Sequence, residues 1–249
     1  MSLLVLLACG GPEPAPEDID ALTRYFWEQW EDPEAMELAV AQLLPVAEEV
    51  DFTADAKDRA YVVGGLDPEA VGDKVDHDND PSDTVGAGLL HQSPFTIEEH
   101  FAYMWQEDQV PFEPSSDELY RRTFVDGTEA CVLDHSCETW QLLNEVQRDT
   151  ALYTMRYDIS KQFRWTETPD GGQALIGRSW NHDEADGGVI LLKQGYSIDL
   201  FIPRDEGALR YHLSWQQSEP LDDEDITGVL VGGIDDLLTH HDTWLEENL

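Results

Sequence analysis

Residues 76–83 hold the clearest candidate metal ligands in this sequence. The segment reads DHDNDPSD, so carboxylates alternate with other side chains. Alternating carboxylates in a turn bring several hard oxygens within reach of one cation, and calcium prefers such ligands. We therefore predict a candidate calcium site formed by Asp76, Asp78, Asp80 and Asp83.

The opening of this segment resembles the D-x-D-x-D start of an EF-hand calcium loop. However, Pro81 stands where the EF-hand loop has its glycine, and Ala87 stands where its bidentate glutamate belongs. An EF-hand is therefore not predicted. The alternatives are a looser calcium site and a solvated acidic loop.

Two groups of acid–base side chains could support catalysis. They are His100 beside Glu98 and Glu99, and Ser179 with His182 and Asp183. The first group lacks the second histidine of the His-Glu-x-x-His zinc motif, and the second lacks the glycine frame of a nucleophile elbow. Because a catalytic triad is assembled in three dimensions, closeness in sequence gives it no support. We predict no catalytic residue, and we expect His240 and His241 to serve in packing.

Aromatic residues on the predicted strands form a candidate ligand pocket. Rings offer a large surface to an apolar or sugar ligand, although rings on a sheet also serve simply as core. The candidate pocket residues are Tyr153, Tyr157, Trp165, Trp180, Tyr196, Tyr211 and Trp215.

The amino-terminal residues predict export. The apolar stretch MSLLVLLA before Cys9 is too short to span a bilayer as a helix, but it suits a signal peptide. The quartet Leu6-Leu7-Ala8-Cys9 resembles the lipobox of bacterial lipoproteins, which implies that Cys9 becomes a lipidated first mature residue. The sequence departs from that pattern in two places, because Leu7 is larger than usual and no Lys or Arg precedes the apolar run.

The lipobox resemblance implies a domain organisation: a signal peptide over 1–8, a lipidated tether over 9–17, and one domain over 18–249. Glycine, proline and acidic residues after Cys9 are typical of an extended spacer. Because Gly10 rather than Asp follows the cysteine, resemblance to better-known lipoproteins implies an anchor in the outer membrane of a bacterial envelope. The alternative is a cytosolic protein whose apolar first residues pack into a core.

Two further cysteines, Cys131 and Cys137, lie close together in the sequence. In an exported protein they can oxidise, and the short segment between them forms a turn that a disulfide could close. Free thiols are one alternative. A zinc site from Cys131, His135 and Cys137 is another, although it lacks a fourth ligand in the sequence. We predict the disulfide.

The composition excludes two classes of surface partner. The sequence has 53 Asp and Glu against 14 Lys and Arg, which leaves a formal net charge of -39. Such a field repels nucleic acid and anionic lipid headgroups. A surface rich in carboxylates and poor in Lys is also typical of a protein from a saline source, where counter-ions screen self-repulsion. The alternative is an ordinary acidic secreted protein.

Helical spacing predicts two amphipathic helices at the start of the domain, with apolar residues at 19, 22, 26 and 30, and again at 36, 40, 43, 47 and 50. A stretch rich in glycine and proline over about 64–94, including Gly86-Ala87-Gly88, predicts loop. Capping boxes of Thr96 with Glu99 and of Ser115 with Glu118 predict short helices over about 96–107 and 116–122.

An apolar–polar alternation then predicts an antiparallel meander of six to eight strands over about 123–217, with one apolar face. Turn signals such as Asp170-Gly171-Gly172 and Asp205-Glu206-Gly207 separate the strands. A last helix over about 227–246 has an apolar stripe, and we expect it to cover the apolar face of the sheet. The predicted fold class is α+β, with a helical part over about 18–122.

This order of elements is loosely similar to the helix-grip lipid-binding folds, in which a curved antiparallel sheet wraps a long carboxy-terminal helix around a ligand cavity. Our leading prediction is a membrane-anchored envelope lipoprotein whose acidic, non-catalytic domain binds an apolar small molecule or an envelope protein. The alternatives are an assembly protein without a ligand and an exported hydrolase. Apart from the candidate calcium ion, no cofactor is predicted.

Overall fold

The computed structural model describes residues 12–113, 118–149 and 154–249. The α-helices in these residues are α1 (Ile19–Glu28), α2 (Pro33–Glu48), α3 (Ala56–Arg59), α4 (Pro68–Val71), α5 (Ile97–Met104), α6 (Glu129–Leu133) and α7 (Asp223–Asn248). The strands are β1 (Tyr61–Val63), β2 (Val85–Ser93), β3 (Leu119–Asp126), β4 (Thr139–Asp149), β5 (Thr154–Glu167), β6 (Gln173–Asn181), β7 (Ala185–Asp186), β8 (Leu191–Pro203) and β9 (Ala208–Glu219). None of the described helices combines the length and the apolar composition needed to span a bilayer.

One antiparallel sheet contains all of the described strands. Its order is β1-β2-β9-β8-β6-β5-β4-β3, and β7 pairs with β8. Helices precede the meander and a long helix follows it, so the predicted α+β class is confirmed. The sheet begins earlier in the chain than predicted, because β1 and β2 lie in the part that was expected to be helical and loop-rich.

The face of the sheet covered by α1 and α2, which we call the outer face, carries the main apolar core. Trp27 of α1 is fully buried there and its ring meets those of Trp180, Tyr196 and Trp215 at centroid distances of 5.4–6.3 Å. Leu200 on β8 and Tyr211 on β9 belong to the same cluster. Burial of this aromatic centre docks both helices on the meander.

The opposite face, the inner face, is crossed by α7. Ile226 and Leu230 of α7 pack on Ala87, and Ile234 and Leu238 pack on Leu89. The carboxy-terminal helix therefore covers one face of the sheet, as predicted, but this face does not carry the apolar stripe of the central strands. The apolar stripe of β8 and β9 lies under α1 and α2, because the aromatic alternate residues of those strands point outward.

Two local predictions are wrong for reasons that lie in tertiary contacts. Gly86 and Gly88, expected in a loop, lie in β2, where an added Cβ would stand 2.6 Å from the Trp215 ring and 2.8 Å from Leu213. Cross-strand side chains thus occupy the space beside these glycines. The helix expected over 116–122 is contradicted by β3, which begins at Leu119 and pairs with β4; residues 114–117 lie outside the described part.

Two signals that depend on neighbouring residues are confirmed, the first capping box and the turn at Gly207. Thr96 and Glu99 form the capping box at the start of α5 through backbone and side-chain bonds in both directions. The turn between β8 and β9 uses Gly207 at a φ of 85°, a conformation that favours glycine. An added Cβ at Gly207 would also meet the Ser93 carbonyl oxygen at 2.1 Å.

Replacing Trp27 tests the outer core. We expect Trp27→Ala to lower the free energy of unfolding by about 3–5 kcal/mol, since it empties a fully buried aromatic site. Leu38→Ala on α2, where the side chain is 40% exposed, should change stability by less than about 0.5 kcal/mol. Urea unfolding of both variants measures this, and equal small effects would contradict the docking of α1.

Candidate functional site

A cavity of about 460 Å³ lies between the inner face of the sheet and α7. Its volume falls within the range of about 300–1,000 Å³ that small-molecule sites occupy. Apolar side chains of β5, β8, the adjoining loops and α7 form much of its wall. They include Met155, Ile159, Ile190, Leu192, Leu221, Val229, Leu230, Ile234 and Leu237.

The cavity opens beside α7. Among its lining residues, Val229 is 59% exposed and Gly233 is also exposed, and the two lie one turn apart on the helix. Leu221 packs against the cluster that contains Leu230 of α7, and Ile190 also lines the cavity. The rim of the cavity is therefore apolar. Where α7 forms the rim, Gly233 leaves a gap because glycine has no side chain.

The interior of the cavity holds charged side chains, most of them from the strands. Asp199, Arg210 and His212 point to the inner face because the residues on either side of each in β8 and β9 belong to the core of the outer face. The charged lining residues are Glu113, Arg122, Arg148, Lys161, Asp199, Arg210 and His212.

Asp199 stands at the centre of this charged set. Its Oδ2 lies 3.4 Å from Lys161 Nζ, and its Oδ1 lies 3.7 Å from Arg210 Nη2 and 3.5 Å from His212 Nδ1. The residue is only 6% exposed. A buried carboxylate requires such partners, because an isolated charge in a medium of low polarity is strongly unfavourable.

The neighbours of Asp199 set the protonation of the site. Burial raises the pKa of Asp199, but Lys161, His212 and Arg210 together outweigh burial and hold its pKa well below the usual value. Burial lowers the pKa of Lys161, and the Asp199 carboxylate opposes that shift. Burial raises the pKa of Glu113 against the attraction of Arg122 and Lys161. The protein therefore keeps Asp199 ionised.

Three lining residues have the types and the chain order of one kind of hydrolase triad: Asp199, His212 and Ser214. Ser214 Oγ lies 3.3 Å from His212 Nε2, and His212 Nδ1 lies 3.5 Å from Asp199 Oδ1. Both contacts are longer than the about 2.6–3.2 Å of an activated nucleophile and its base. In addition, Lys161 and Arg210 share the carboxylate. The geometry favours a polar lining over an assembled nucleophile.

A second polar network lies beside the cavity. His100 is fully buried, with Nε2 3.0 Å from Ser93 Oγ and Nδ1 3.1 Å from the Tyr103 hydroxyl. Burial, assisted by Arg210, lowers the pKa of His100 to about 2. His241 is also buried and stacks on Tyr103 at 4.2 Å. These neutral imidazoles join α5, β2 and α7. His100, which the sequence offered as a possible acid or base beside Glu98 and Glu99, is therefore part of a packed interior.

The predicted pocket aromatics lie on both faces of the sheet. Trp180, Tyr196 and Trp215 border the cavity, but their rings surround Trp27 on the outer face. The Tyr211 hydroxyl lies 2.7 Å from that of Thr23 in α1, also on the outer face. These side chains build the core that supports the cavity wall.

The remaining predicted aromatics divide differently. Tyr157 lines the cavity. Trp165 packs on the inner face near α5, and its Nε1 donates to the Val132 carbonyl oxygen at 3.2 Å. Tyr153 lies outside the described residues.

The side chains of Ser179 and His182, considered as possible catalytic partners, do not contact each other. Ser179 lines the cavity and its hydroxyl lies 2.6 Å from that of Ser197, whereas His182 Nε2 lies 2.8 Å from Ser160 Oγ.

Cys131 and Cys137 form the predicted disulfide, with Cα atoms 5.2 Å apart. Because both sulfurs are used in that bond, the zinc alternative is wrong.

One carboxylate of the acidic loop, that of Asp80, stabilises the local backbone. Asp80 Oδ1 accepts hydrogen bonds from the Ser82 amide at 2.9 Å and from the Ser82 hydroxyl at 2.7 Å, which caps a 3₁₀ turn at Pro81–Asp83. In the part of the chain that the structure describes, no three His, Cys, Asp or Glu side chains form a group that could hold a metal ion. The calcium site of Asp76, Asp78, Asp80 and Asp83 stays a prediction.

Comparison with known proteins finds distant structural likenesses, three of which are described. Neither the family models nor the curated proteins that were searched contain a match to the sequence. A STAR-related lipid transfer protein from Xanthomonas axonopodis aligns at 9% identity and a TM-score of 0.42, covering 66% of this chain and 85% of that chain. Human StAR-related lipid transfer protein 5 aligns at 10% identity and a TM-score of 0.42, covering 88% of this chain and 98% of that chain.

The third likeness is to the human StarD13 lipid transfer and protein localization domain. It aligns at 10% identity and a TM-score of 0.39, covering 80% of this chain and 93% of that chain. At such low identities and scores, these likenesses say nothing about the ligand of this chain.

A double-mutant cycle tests the charged centre. We expect Asp199→Asn to lower the free energy of unfolding by about 3–5 kcal/mol, because Lys161 and Arg210 then lose their buried carboxylate. Adding Lys161→Met should recover part of that loss. The exposed Asp158→Asn on β5 is the control and should change stability by less than about 0.5 kcal/mol. Strict additivity in urea unfolding would show that Lys161 and Asp199 do not interact.

Proposed function

We propose that the domain binds a small molecule with a large apolar part in the cavity between the sheet and α7. The observation that carries this proposal is the cavity itself, at about 460 Å³ with an apolar rim and a charged interior. Binding sites for small molecules combine apolar walls with a few placed polar groups in this way.

The rim supports entry of an apolar molecule. Val229 keeps a side chain that is 59% exposed, beside Ile190 and Leu221 in the cavity lining. Exposed apolar side chains at the border of a cavity give an entering apolar molecule a surface that is partly shielded from water. The fold supports the same conclusion, because α7 and the inner face leave space between them instead of packing completely.

The cavity favours binding over the two alternative functions. An assembly protein requires no internal space, and a hydrolase of the serine type requires an activated nucleophile. The long contacts of His212 with Ser214 and Asp199 give the second alternative little support.

The proposal includes a lipid anchor at Cys9. That residue lies outside the described part of the chain, so the anchor rests on the lipobox resemblance. The chain is already held at Glu13, whose carbonyl oxygen accepts from the Tyr25 hydroxyl at 2.6 Å. Four residues span at most about 14 Å when extended. An anchor at Cys9 would therefore hold the binding domain close to the membrane surface.

A substitution at the rim tests the cavity. An added Cβ at Gly233 meets no atom within 4 Å, so the ring of Gly233→Phe can occupy the rim without a backbone clash. We expect about a tenfold or larger loss of affinity for the neutral fluorescent dye N-phenyl-1-naphthylamine. Replacing glycine inside a helix also favours the helix, so the melting temperature should not fall.

The matched control is Gly232→Phe. Gly232 has the same open surroundings, but it is not among the cavity-lining residues. This variant should bind the dye as tightly as the wild-type protein does. Absence of saturable dye binding by the wild-type protein, or equal binding by both variants, would contradict the proposed site.

The anchor has its own test. When the full chain is expressed in a bacterium that lipidates exported proteins, we expect label from radioactive palmitate in the wild-type protein and recovery in the membrane fraction. Cys9→Ser should lose both, whereas a variant with Cys131→Ala and Cys137→Ala should keep the label. Unlabelled wild-type protein in the cytosolic fraction would exclude the anchor.

A further inference from the structure

The cavity concentrates positive charge inside a strongly acidic protein. Among the described residues, four of the chain's 14 lysines and arginines line it: Arg122, Arg148, Lys161 and Arg210. Two carboxylates, Glu113 and Asp199, line it as well. The interior therefore has an excess of cations, although the whole chain has a formal net charge of -39.

This excess does not depend on Arg148, since the other three cations still outnumber the two carboxylates. Net charge in a site of low polarity is unfavourable unless a counter-charge approaches closely. An anion bound in the cavity would balance this excess.

Arg210 is a buried cation that makes few hydrogen bonds. Its side chain is only 1% exposed, and its Nε donates no hydrogen bond to any atom of the described residues. Its Nη1 contacts His241 Nδ1 at 3.1 Å, and Asp199 Oδ1 is 3.7 Å from Nη2. A buried guanidinium normally uses more of its donors than this, because each unsatisfied donor lowers stability.

Lys161 has donor capacity to share with a ligand. Its Nζ makes one long contact, 3.4 Å, with Asp199 Oδ2, and an ammonium group has three donors. Its side chain is 14% exposed, so a molecule in the cavity can reach it. Lys161 and Arg210 approach different oxygens of Asp199, which places the two cations around one region of the cavity.

We infer that the ligand is an amphipathic anion, with a head group such as a carboxylate that binds Lys161, close to the buried charge of Arg210, and an apolar chain that runs to the rim at Val229. This inference rests on the proposed function, because it names the chemical class of molecule that the cavity takes. Charge-assisted hydrogen bonds to the head group satisfy donors that Asp199 leaves unused. The apolar chain covers the wall at Leu230 and Ile234.

The experiment compares molecules that share a chain and differ in head group. The full-length protein is titrated with oleate and with oleyl alcohol, each below its aggregation concentration, by displacement of N-phenyl-1-naphthylamine. We expect oleate to have a dissociation constant at least about tenfold lower than that of oleyl alcohol, as expected for hydrogen bonds to a charged group. Oleyl alcohol supplies the same apolar chain without the charge.

Variants identify the cations. Lys161→Met should remove most of the preference for oleate while binding of oleyl alcohol changes less than about twofold, and Lys161→Arg should keep the preference. Arg121→Met is the matched charge control, because Arg121 is an exposed residue of β3 that pairs with Glu145. It should keep the wild-type preference, which excludes an effect of net charge alone.

The outcomes separate this inference from the proposed function. Equal affinity of the wild-type protein for oleate and oleyl alcohol overturns the anionic ligand but leaves the cavity as a site for neutral molecules. Failure of the wild-type protein to bind the dye and both chains overturns the proposed function. An undiminished preference in a folded Lys161→Met variant overturns the head-group position. The wild-type comparison remains decisive even if the variant does not fold.

Discussion

The register between β8 and β9 determines both layers of this molecule. Asp199 pairs with His212, and the next pair along the strands is Leu200 with Tyr211. Because successive side chains of a strand point to opposite faces, one register places charged residues inward and apolar residues outward. A slip of one residue would exchange the two sets. The same pairing therefore maintains the core under α1 and the charged centre of the cavity.

The two faces have different energetic roles. On the outer face, aromatic burial around Trp27 supplies stability and holds α1 and α2 on the sheet. On the inner face, buried charges at Asp199, Lys161 and Arg210 contribute little or nothing to stability beyond their mutual compensation. A role in ligand recognition explains why the protein buries these charges. The apolar layer thus supports a site whose residues are not optimised for packing.

Elements whose determinants are local were predictable from the sequence. The capping residues of α5 stand within one turn, and the apolar stripe of α1 repeats at helical spacing. By contrast, β2 could not be predicted, because Gly86 and Gly88 are suited to a strand only when Trp215 and Leu213 lie opposite them. That requirement comes from a strand far along the chain.

The site was less predictable than the fold for a physical reason. Strand periodicity shows which residues share a face, but it does not show which helix covers that face. Periodicity therefore grouped the aromatic residues as the candidate ligand surface, whereas the rings of Trp180, Tyr196 and Trp215 pack around Trp27 under α1. It gave no prediction for the polar alternate residues. A usable signal was present in Lys161, Arg210 and His212, since cations are scarce in this sequence and helices both before and after the meander can cover both faces.

The central claim is that the inner cavity holds an amphipathic anion. Native mass spectrometry of the protein purified without added lipid, followed by identification of any molecule released on denaturation, tests it most directly. We predict either a retained anionic amphiphile or, after mild delipidation, stoichiometric uptake of oleate that oleyl alcohol does not match. A ligand-free mass that stays unchanged with both compounds would contradict the claim.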